Sequence, residues 1–406
     1  MQQQLKTVVT GNKPQSLQKY DIVLSMLLFL YCALLPFEEA LATSFGSVLR
    51  LLGIVIIGYC IVIYHSYKVN ISTFRLLMPF ASWVIFSVVS IIWSADVDWW
   101  IYFTMIYLLQ FAFVLFVVAY YKQVNIRYLQ NGLIVGATIA SSVLIFMPQL
   151  SQITEDGRRT VVILGQELDP NIVATIIMIG LFACLGSIFA KKKSGILQKI
   201  LVIFLGAGML FTGSRGALIS FVAGFGVLMF LEMRNRGSRK YVLAVIVIAV
   251  ITTIIALNFM PEELLTSRFS QESILGFDEY KRGSHNRYTI WLHALELFIQ
   301  RPIIGYGSGN FFNAIATVYE ECASHNMYIL ILIEEGIVGL AIFGYGLIKI
   351  IVRLYKKHLY TFLAMFTSVC VMAMTLDSIT TKFFWVSIII AIIAILKDEN
   401  SSIRRD

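Results

Sequence analysis

Three side chains stand out by chemistry and setting. Arg215 lies in Phe211-Thr212-Gly213-Ser214-Arg215-Gly216-Ala217-Leu218, a turn with almost no loop between two apolar runs. An arginine held near lipid costs roughly 2.5 kcal/mol or more at mid-bilayer and less at the interface. It either snorkels to headgroups or presents its planar fork to two phosphate oxygens at once. Ser214 stands beside it, and Gly213 and Gly216 allow a tight turn and close approach of a bulky ligand. Arg287 precedes Trp291 by four residues, in a stretch where Ile290, Trp291, Ala294, Leu295 and Phe298 recur at helical spacing. That spacing predicts an amphipathic helix at the membrane surface, with Trp291 as a headgroup-level anchor and Pro302 ending it. Arg287 near its amino-terminal end adds a cation to free N–H groups, a ready anion site. His325, next to Asn326, begins another short helix that ends at Glu335-Gly336. A lone histidine is more often structural, yet imidazole is the side chain best suited to take a hydroxyl proton near neutral pH.

Other residues carry weaker signals. Asp169-Pro170-Asn171 reads as a helix start, with Asn171 as the cap and a binding role for Asp169 as the alternative. Gly305, Gly307 and Gly309 predict a close-packed turn rather than a nucleotide loop, because no strand precedes them and no Gly-Lys-Ser/Thr follows. His293 reads as a surface residue. Asp96 and Asp98 read as topology residues at a span end, and Glu334 and Glu335 as interfacial partners or solvated charges. The cysteines Cys32, Cys60, Cys184, Cys322 and Cys370 are scattered, without metal-ligand spacing or a disulfide framework. No metal or cofactor is expected.

The elements that position these residues are hydrophobic. Of 406 residues, 58% are hydrophobic and 14% charged, against about 25% charged in soluble domains. The chain therefore reads as an all-α integral membrane protein. A crossing helix needs about 20 mostly apolar residues, and twelve stretches qualify: 20–37, 48–67, 76–95, 99–121, 128–148, 171–190, 196–213, 216–233, 241–260, 337–355, 359–376 and 381–397. This predicts an amino-terminal tail 1–19, spans one to nine over 20–260, an external helical loop 261–336, spans ten to twelve over 337–397, and a tail 398–406. No alternating ten-residue pattern of an outer-membrane barrel is present. The net charge of +8 comes from clusters between apolar runs, such as Lys191-Lys192-Lys193, Arg234 to Lys240 and Lys349 to Lys357. They mark cytoplasmic connections rather than a nucleic-acid surface.

With both termini cytoplasmic, these basic clusters fall inside and nearly every acidic residue outside. Arg158, Arg159, Arg215, Arg268, Arg282 and Arg287 then face outward, where the rule disfavours them. An anionic ligand supplies the reason. Arginines for phosphate, a histidine for a hydroxyl and helices for a lipid together fit a lipid-pyrophosphate-linked substrate attacked by an alcohol. A transporter would place charges along the middle of its spans and show paired broken helices in two halves; here the charges gather at outer ends and no repeat is visible. A structural membrane protein would leave Arg215, Arg287 and His325 replaceable.

The set Ser214 to Ala217, Asp169 to Asn171, and Arg287 and Trp291 through Pro302, Gly305 and Gly307 to His325-Asn326, Glu335-Gly336 and Gly339 resembles the O-antigen ligase and O-antigen polymerase family of bacterial envelope enzymes. The signature covers about 170–340. The resemblance implies a GT-C-like, metal-independent, inverting glycosyltransferase of the bacterial cytoplasmic membrane, with its active site facing outward. Its donor would be an undecaprenyl-pyrophosphate-linked oligosaccharide and its acceptor a glycan, with membrane lipids around it and a chain-length regulator and a flippase as accessory partners. Carried onto this chain, it gives Arg215 and Arg287 the pyrophosphate and His325 the acceptor hydroxyl. Ser214, Arg158, Arg159, Asp169, Asn171 and Asn326 complete the expected substrate-binding set. Within the family a polymerase joins lipid-linked repeat units and a ligase transfers finished glycan to lipid A core or another acceptor. The absence of an acceptor-specific module leans the reading to a polymerase serving capsule, exopolysaccharide or O-antigen.

Overall fold

A computed structural model of the protein describes residues 20–43, 46–64, 71–154, 157–191, 195–234, 238–269 and 287–403. The amino-terminal tail 1–19 and Arg282 lie outside the described residues. Each of the twelve apolar stretches holds a helix. In chain order these are α1 (Ile22–Leu34), α2 (Val48–Tyr64), α3 (Met78–Val89), α4 (Val97–Ala119), α5 (Ile126–Phe146), α6 (Pro170–Lys191), α7 (Ile196–Phe211), α8 (Arg215–Arg234) and α9 (Arg239–Phe259). After them come the short α10 (Glu262–Phe269), the surface-type α11 (Arg287–Gln300), the short α12 (Phe311–Ala316), α13 (Met327–Lys356), α14 (Tyr360–Met372) and α15 (Lys382–Ile403). Six of them, α4, α5, α6, α8, α9 and α13, are long and apolar enough to cross a bilayer by length and composition, and five apolar ones are shorter.

Polar residues fix where several helices begin. Asp21, Asp96 and Asn125 each accept a backbone N–H from the first turn of α1, α4 and α5, at 3.0, 2.9 and 3.1 Å. That satisfies donors which have no intrahelical partner. Asp96, expected as a topology residue, is thus a helix cap, and it also accepts from the Asn313 side chain at 2.8 Å.

Two helices are buried all round and form the middle of the bundle. In α15 every residue from Phe383 to Leu396 is buried, and in α6 83% of the apolar window is. A helix apolar on every face belongs inside other helices. Phe80, Trp83, Tyr107, Phe343, Phe384 and Trp385 interlock between α3, α4, α13 and α15, with ring centroids 4.9 to 6.5 Å apart.

The connections sort into two ends. Glu39 meets Asp169, Thr212 meets Arg159, Asp96 meets Asn310 and Asn313, and Met327 meets Ala373 and Leu376. At the other end Asp21 meets Gln123, Lys349 meets Arg75, Lys357 meets Asp398, and Asn400 meets Tyr121. The first set joins the connections expected on one side of the membrane, and the second joins those expected on the other.

The structure departs from helix in two small antiparallel sheets among the described residues. One pairs β1 (Ala42–Thr43) with β2 (Gly46–Ser47). The other covers most of the 149–170 connection, where β3 (Ser151–Ile153) pairs with β4 (Arg159–Ile163), and β4 with β5 (Gln166–Glu167). The chain is otherwise mostly helical, consistent with the all-α expectation. The β4–β5 turn carries positive φ at Leu164 (53°) and Gly165 (77°), the backbone a two-residue hairpin needs.

The tenth span was expected to begin at 337; its helix begins at Met327 and breaks at Gly336, with φ 66° and ψ −167°. The expected short helix ending at Glu335-Gly336 is therefore present as the first limb of α13. The break frees backbone groups on both sides, and the 302–309 strap takes them up. Ile337 and Val338 donate to the carbonyls of Pro302 (2.9 Å) and Ile303 (3.2 Å), while Tyr306 and Gly307 donate to those of Ile333 (3.0 Å) and Glu334 (2.7 Å). A Cβ on Gly336 would lie 2.2 Å from the Ile303 carbonyl oxygen. The glycine turn is close-packed as expected: a Cβ on Gly305 would sit 2.5 Å from the Glu334 backbone.

Candidate active site

The connection before α13 is held by an acid from the connection before α15. Asp377 accepts hydrogen bonds from the Ser324 hydroxyl, the Asn326 N–H (3.0 Å) and the His325 N–H (3.3 Å). The Asn326 side-chain oxygen accepts from Tyr328 (3.0 Å) and Ile329 (3.3 Å) and caps α13. These bonds hold His325 at φ 49°, a left-handed conformation that costs a non-glycine residue about 1 kcal/mol or more. Trp291 adds a third restraint: its indole N–H donates to the Ser324 carbonyl at 3.0 Å. The expected headgroup anchor is instead a strut between α11 and the His325 turn. The buried face of α11 is Ile290, Ala294 and Leu297, whereas Leu295, expected on that face, is 47% exposed. His293 stacks on Tyr319 and pairs with Glu296 at 3.3 Å.

The electrostatics around His325 identify its neighbours. Burial is the main influence pushing its pKa below the ordinary histidine value. Arg287 pushes in the same direction, Asp377 and Asp169 oppose it, and Arg158 adds to the lowering. The lowering favours the neutral imidazole, the form that can accept a proton. Those four charges come from four separate segments: α11, the β3–β4 connection, the start of α6 and the 373–381 connection.

Arg215 opens α8 directly after the Ser214 cap. The Ser214 hydroxyl accepts from the Ala217 N–H at 3.2 Å and donates to the Asn171 side-chain oxygen at 2.7 Å. Gly213 has φ 67°, as the tight turn requires. A Cβ on Gly216 would lie 2.7 Å from the Thr375 hydroxyl, so the Arg215 turn abuts the connection that carries Asp377.

The remaining candidates have structural partners. The helix cap at 169–171 is Asp169, whose carboxylate accepts from the Asn171 N–H at 2.7 Å. Asn171, expected to cap, turns its side chain to Ser214 instead. Arg159 donates Nε (3.2 Å) and a terminal nitrogen (2.9 Å) to the Ser151 hydroxyl, and burial lowers its pKa. Its guanidinium braces the sheet. Glu334 and Glu335, expected at an interface or in solvent, are 3% and 1% exposed. Glu335 accepts from the Ser87 and Ser308 hydroxyls, tying the strap to α3. Sequence reasoning missed Asp377, which stands alone in a short connection. Its only signal is being an acid among outward-assigned residues.

The cluster can do limited but specific chemistry. It offers fixed cations for an anionic leaving group and a neutral imidazole for a hydroxyl proton, held by a carboxylate that binds the turn rather than the ring. Residues 200–344 match the family model described as O-antigen ligase. The matched segment contains Arg215, Arg287 and His325, and it supports the O-antigen ligase and polymerase family for the chain. No curated protein matches it. Six helices long and apolar enough to cross a bilayer, together with the match, point to a multi-pass membrane protein.

Proposed function

Proceeding from the O-antigen ligase match over residues 200–344, we propose that this protein is a polysaccharide polymerase. It joins undecaprenyl-pyrophosphate-linked repeat units on the outer face of the cytoplasmic membrane. The observation that carries the reading is the left-handed His325 turn, clamped by Asp377 and by Trp291 of the Arg287 helix. In this reading the chain crosses the membrane twelve times in a GT-C-like arrangement with both termini cytoplasmic, and the His325 end faces outward.

Arg287 and Arg215 bind the donor pyrophosphate and stabilise the charge that grows on it as the glycosidic bond breaks. His325 accepts the proton of the acceptor hydroxyl as its oxygen attacks the anomeric carbon. The new bond forms opposite the departing pyrophosphate, which inverts the centre without metal or covalent intermediate. Pyrophosphate is already a good leaving group, so positioning and charge stabilisation supply the catalysis. Arg158 and Asp169 act on His325 electrostatically and in this reading contact the sugar or phosphate, while Ser214, Asn171, Arg159 and Asn326 hold the elements in place.

The family's description as O-antigen ligase favours a second reading: a ligase that transfers finished glycan to lipid A core or another acceptor. The two separate in cells carrying a deletion of the gene. A polymerase deletion leaves single repeat units on the surface acceptor, whereas a ligase deletion leaves long glycan on the lipid carrier. Arg215→Ala and His325→Ala each reproduce the deletion if their roles are as stated.

A further inference from the structure

A cleft opens at the same end of the bundle, with Thr380 of the 373–381 connection in its wall. It has a volume of roughly 200 Å3 and lies between α1, α2, α4 and the start of α15. Its upper part holds Glu38 paired with Lys382, whose ammonium also donates to the Ser47 hydroxyl at 3.2 Å. Arg50 stands exposed at the mouth and forms no ion pair with a described residue. Glu38 offsets Lys382, so Arg50 leaves the mouth net cationic. The lower part is walled by Ile54, Ile57, Ile106 and Phe113. Tyr102 and Phe113 both line it, and at 1.5 Å per helical residue the cleft runs about 16 Å along α4. Tyr102 (55% exposed) and Ile54 (50% exposed) leave it open sideways. Gln110 in its wall donates to the Thr380 carbonyl at 2.6 Å, three residues from Asp377, while its own side-chain oxygen is buried without a partner.

A cationic mouth above a long apolar trough open to the side is the shape of a site for an anionic head on a hydrocarbon tail. The donor already has its cations at Arg215 and Arg287. A reaction between two lipid-linked glycans needs a second such site, close enough to the first for the two glycans to meet at His325. Resting on the polymerase reading, we propose that this cleft holds the pyrophosphate and proximal isoprenoid of the acceptor, with Arg50 on the phosphate and the tail along α2 and α4. A transferase whose acceptor is not a carrier-linked glycan has no use for it.

The test is binding of bare undecaprenyl pyrophosphate to the purified full-length protein in nanodiscs of zwitterionic lipid. Wild type is expected to bind two equivalents. Gly53→Leu places side-chain atoms into the cleft, since a Cβ at Gly53 already lies 3.7 Å from Tyr31 and 3.8 Å from Phe113; it is expected to bind one. Arg50→Glu, at an exposed position, is expected to weaken one of the two sites at least tenfold. Arg215→Ala is expected to lose the other. Gly58→Leu, on the same helix where a Cβ meets nothing within 4 Å, controls for insertion and folding and keeps both. One equivalent in wild type, lost only in Arg215→Ala, overturns the acceptor site and leaves the donor site standing. Phosphatidylglycerol displacing the carrier from the cleft at equal concentration also overturns it, as an ordinary lipid site. No binding to any form removes the lipid-pyrophosphate reading itself.

Discussion

Removal of the Asp377 carboxylate should disable the His325 turn without unfolding the bundle. Asp377→Ala deletes the acceptor for the Ser324 hydroxyl and for the Asn326 and His325 N–H groups, the last two at 3.0 and 3.3 Å. Hydrogen bonds to a charged group contribute about 1.5–3 kcal/mol each. Counting the two shorter ones at the lower value, the turn loses about 3 kcal/mol. The left-handed backbone of His325 costs about 1 kcal/mol, so once the carboxylate is gone the turn gains by relaxing. The Ser324 hydroxyl still accepts from Asn326 at 3.1 Å, and Trp291 still holds the Ser324 carbonyl. The segment should therefore shift rather than melt. Displacing a catalytic group by about 1 Å costs on the order of a hundredfold in rate, and a hundredfold drop is the expected turnover of Asp377→Ala. Asp377→Asn keeps one oxygen for Ser324 and Asn326 and should lose about tenfold, since a neutral acceptor gives roughly half the bond strength. The assay is polymerisation by purified protein on carrier-linked repeat units, with protein level and melting temperature measured alongside. Turnover of Asp377→Ala within twofold of wild type, at normal protein level, would refute the clamp.

Other predictions follow from the same geometry. If neutral His325 is the working base, turnover falls as pH drops through its lowered pKa, so the acidic limb of the kcat/KM profile should lie below pH 6.5, the ordinary histidine value. Asp377→Asn removes a group that raises that pKa and should move the limb to lower pH. Arg287→Gln removes one that lowers it and should move the limb of its residual activity upward; movements of opposite sign would contradict the assignment. Trp291→Phe loses the 3.0 Å bond to Ser324, worth about 1 kcal/mol, and should reduce turnover severalfold with normal melting. Gly336→Ala places a Cβ 2.2 Å from the Ile303 carbonyl oxygen at φ 66°, and should lower the amount of folded protein in the membrane where Gly344→Ala, with nothing within 4 Å, does not.

The helices were legible because a run of about 20 apolar residues has few other ways to satisfy its backbone in lipid. The alternation of basic and acidic connections likewise anticipated which connections meet at each end. Arg287 was legible as an outward charge without a topological reason, His325 as an imidazole in an outward-assigned loop, and Gly336 as the end of a short helix. Asp377 was not legible, because its partners lie 51 to 53 residues away and hydrogen-bond geometry leaves no local spacing. Trp291 was misread since an amphipathic helix looks the same whether its indole meets headgroups or a carbonyl. The caps at Asp169 and Asn171 were exchanged because both residue types cap equally well, and only the position of Pro170 inside the helix separates them. The small sheet was missed because its strands are two to five residues long. The Arg50 cleft is assembled from four helices and has no sequence signature.

The most direct test of the central claim is the surface and carrier-linked glycan profile of cells lacking the gene, complemented in parallel with wild type, Arg215→Ala and His325→Ala. The account predicts that the deletion and both variants lose long chains while single repeat units still reach the surface acceptor, and that wild type restores the ladder. Long glycan stalled on its carrier would contradict the polymerase assignment in favour of a ligase. An unchanged ladder in the deletion, with no second enzyme of this kind in the cell, would contradict both.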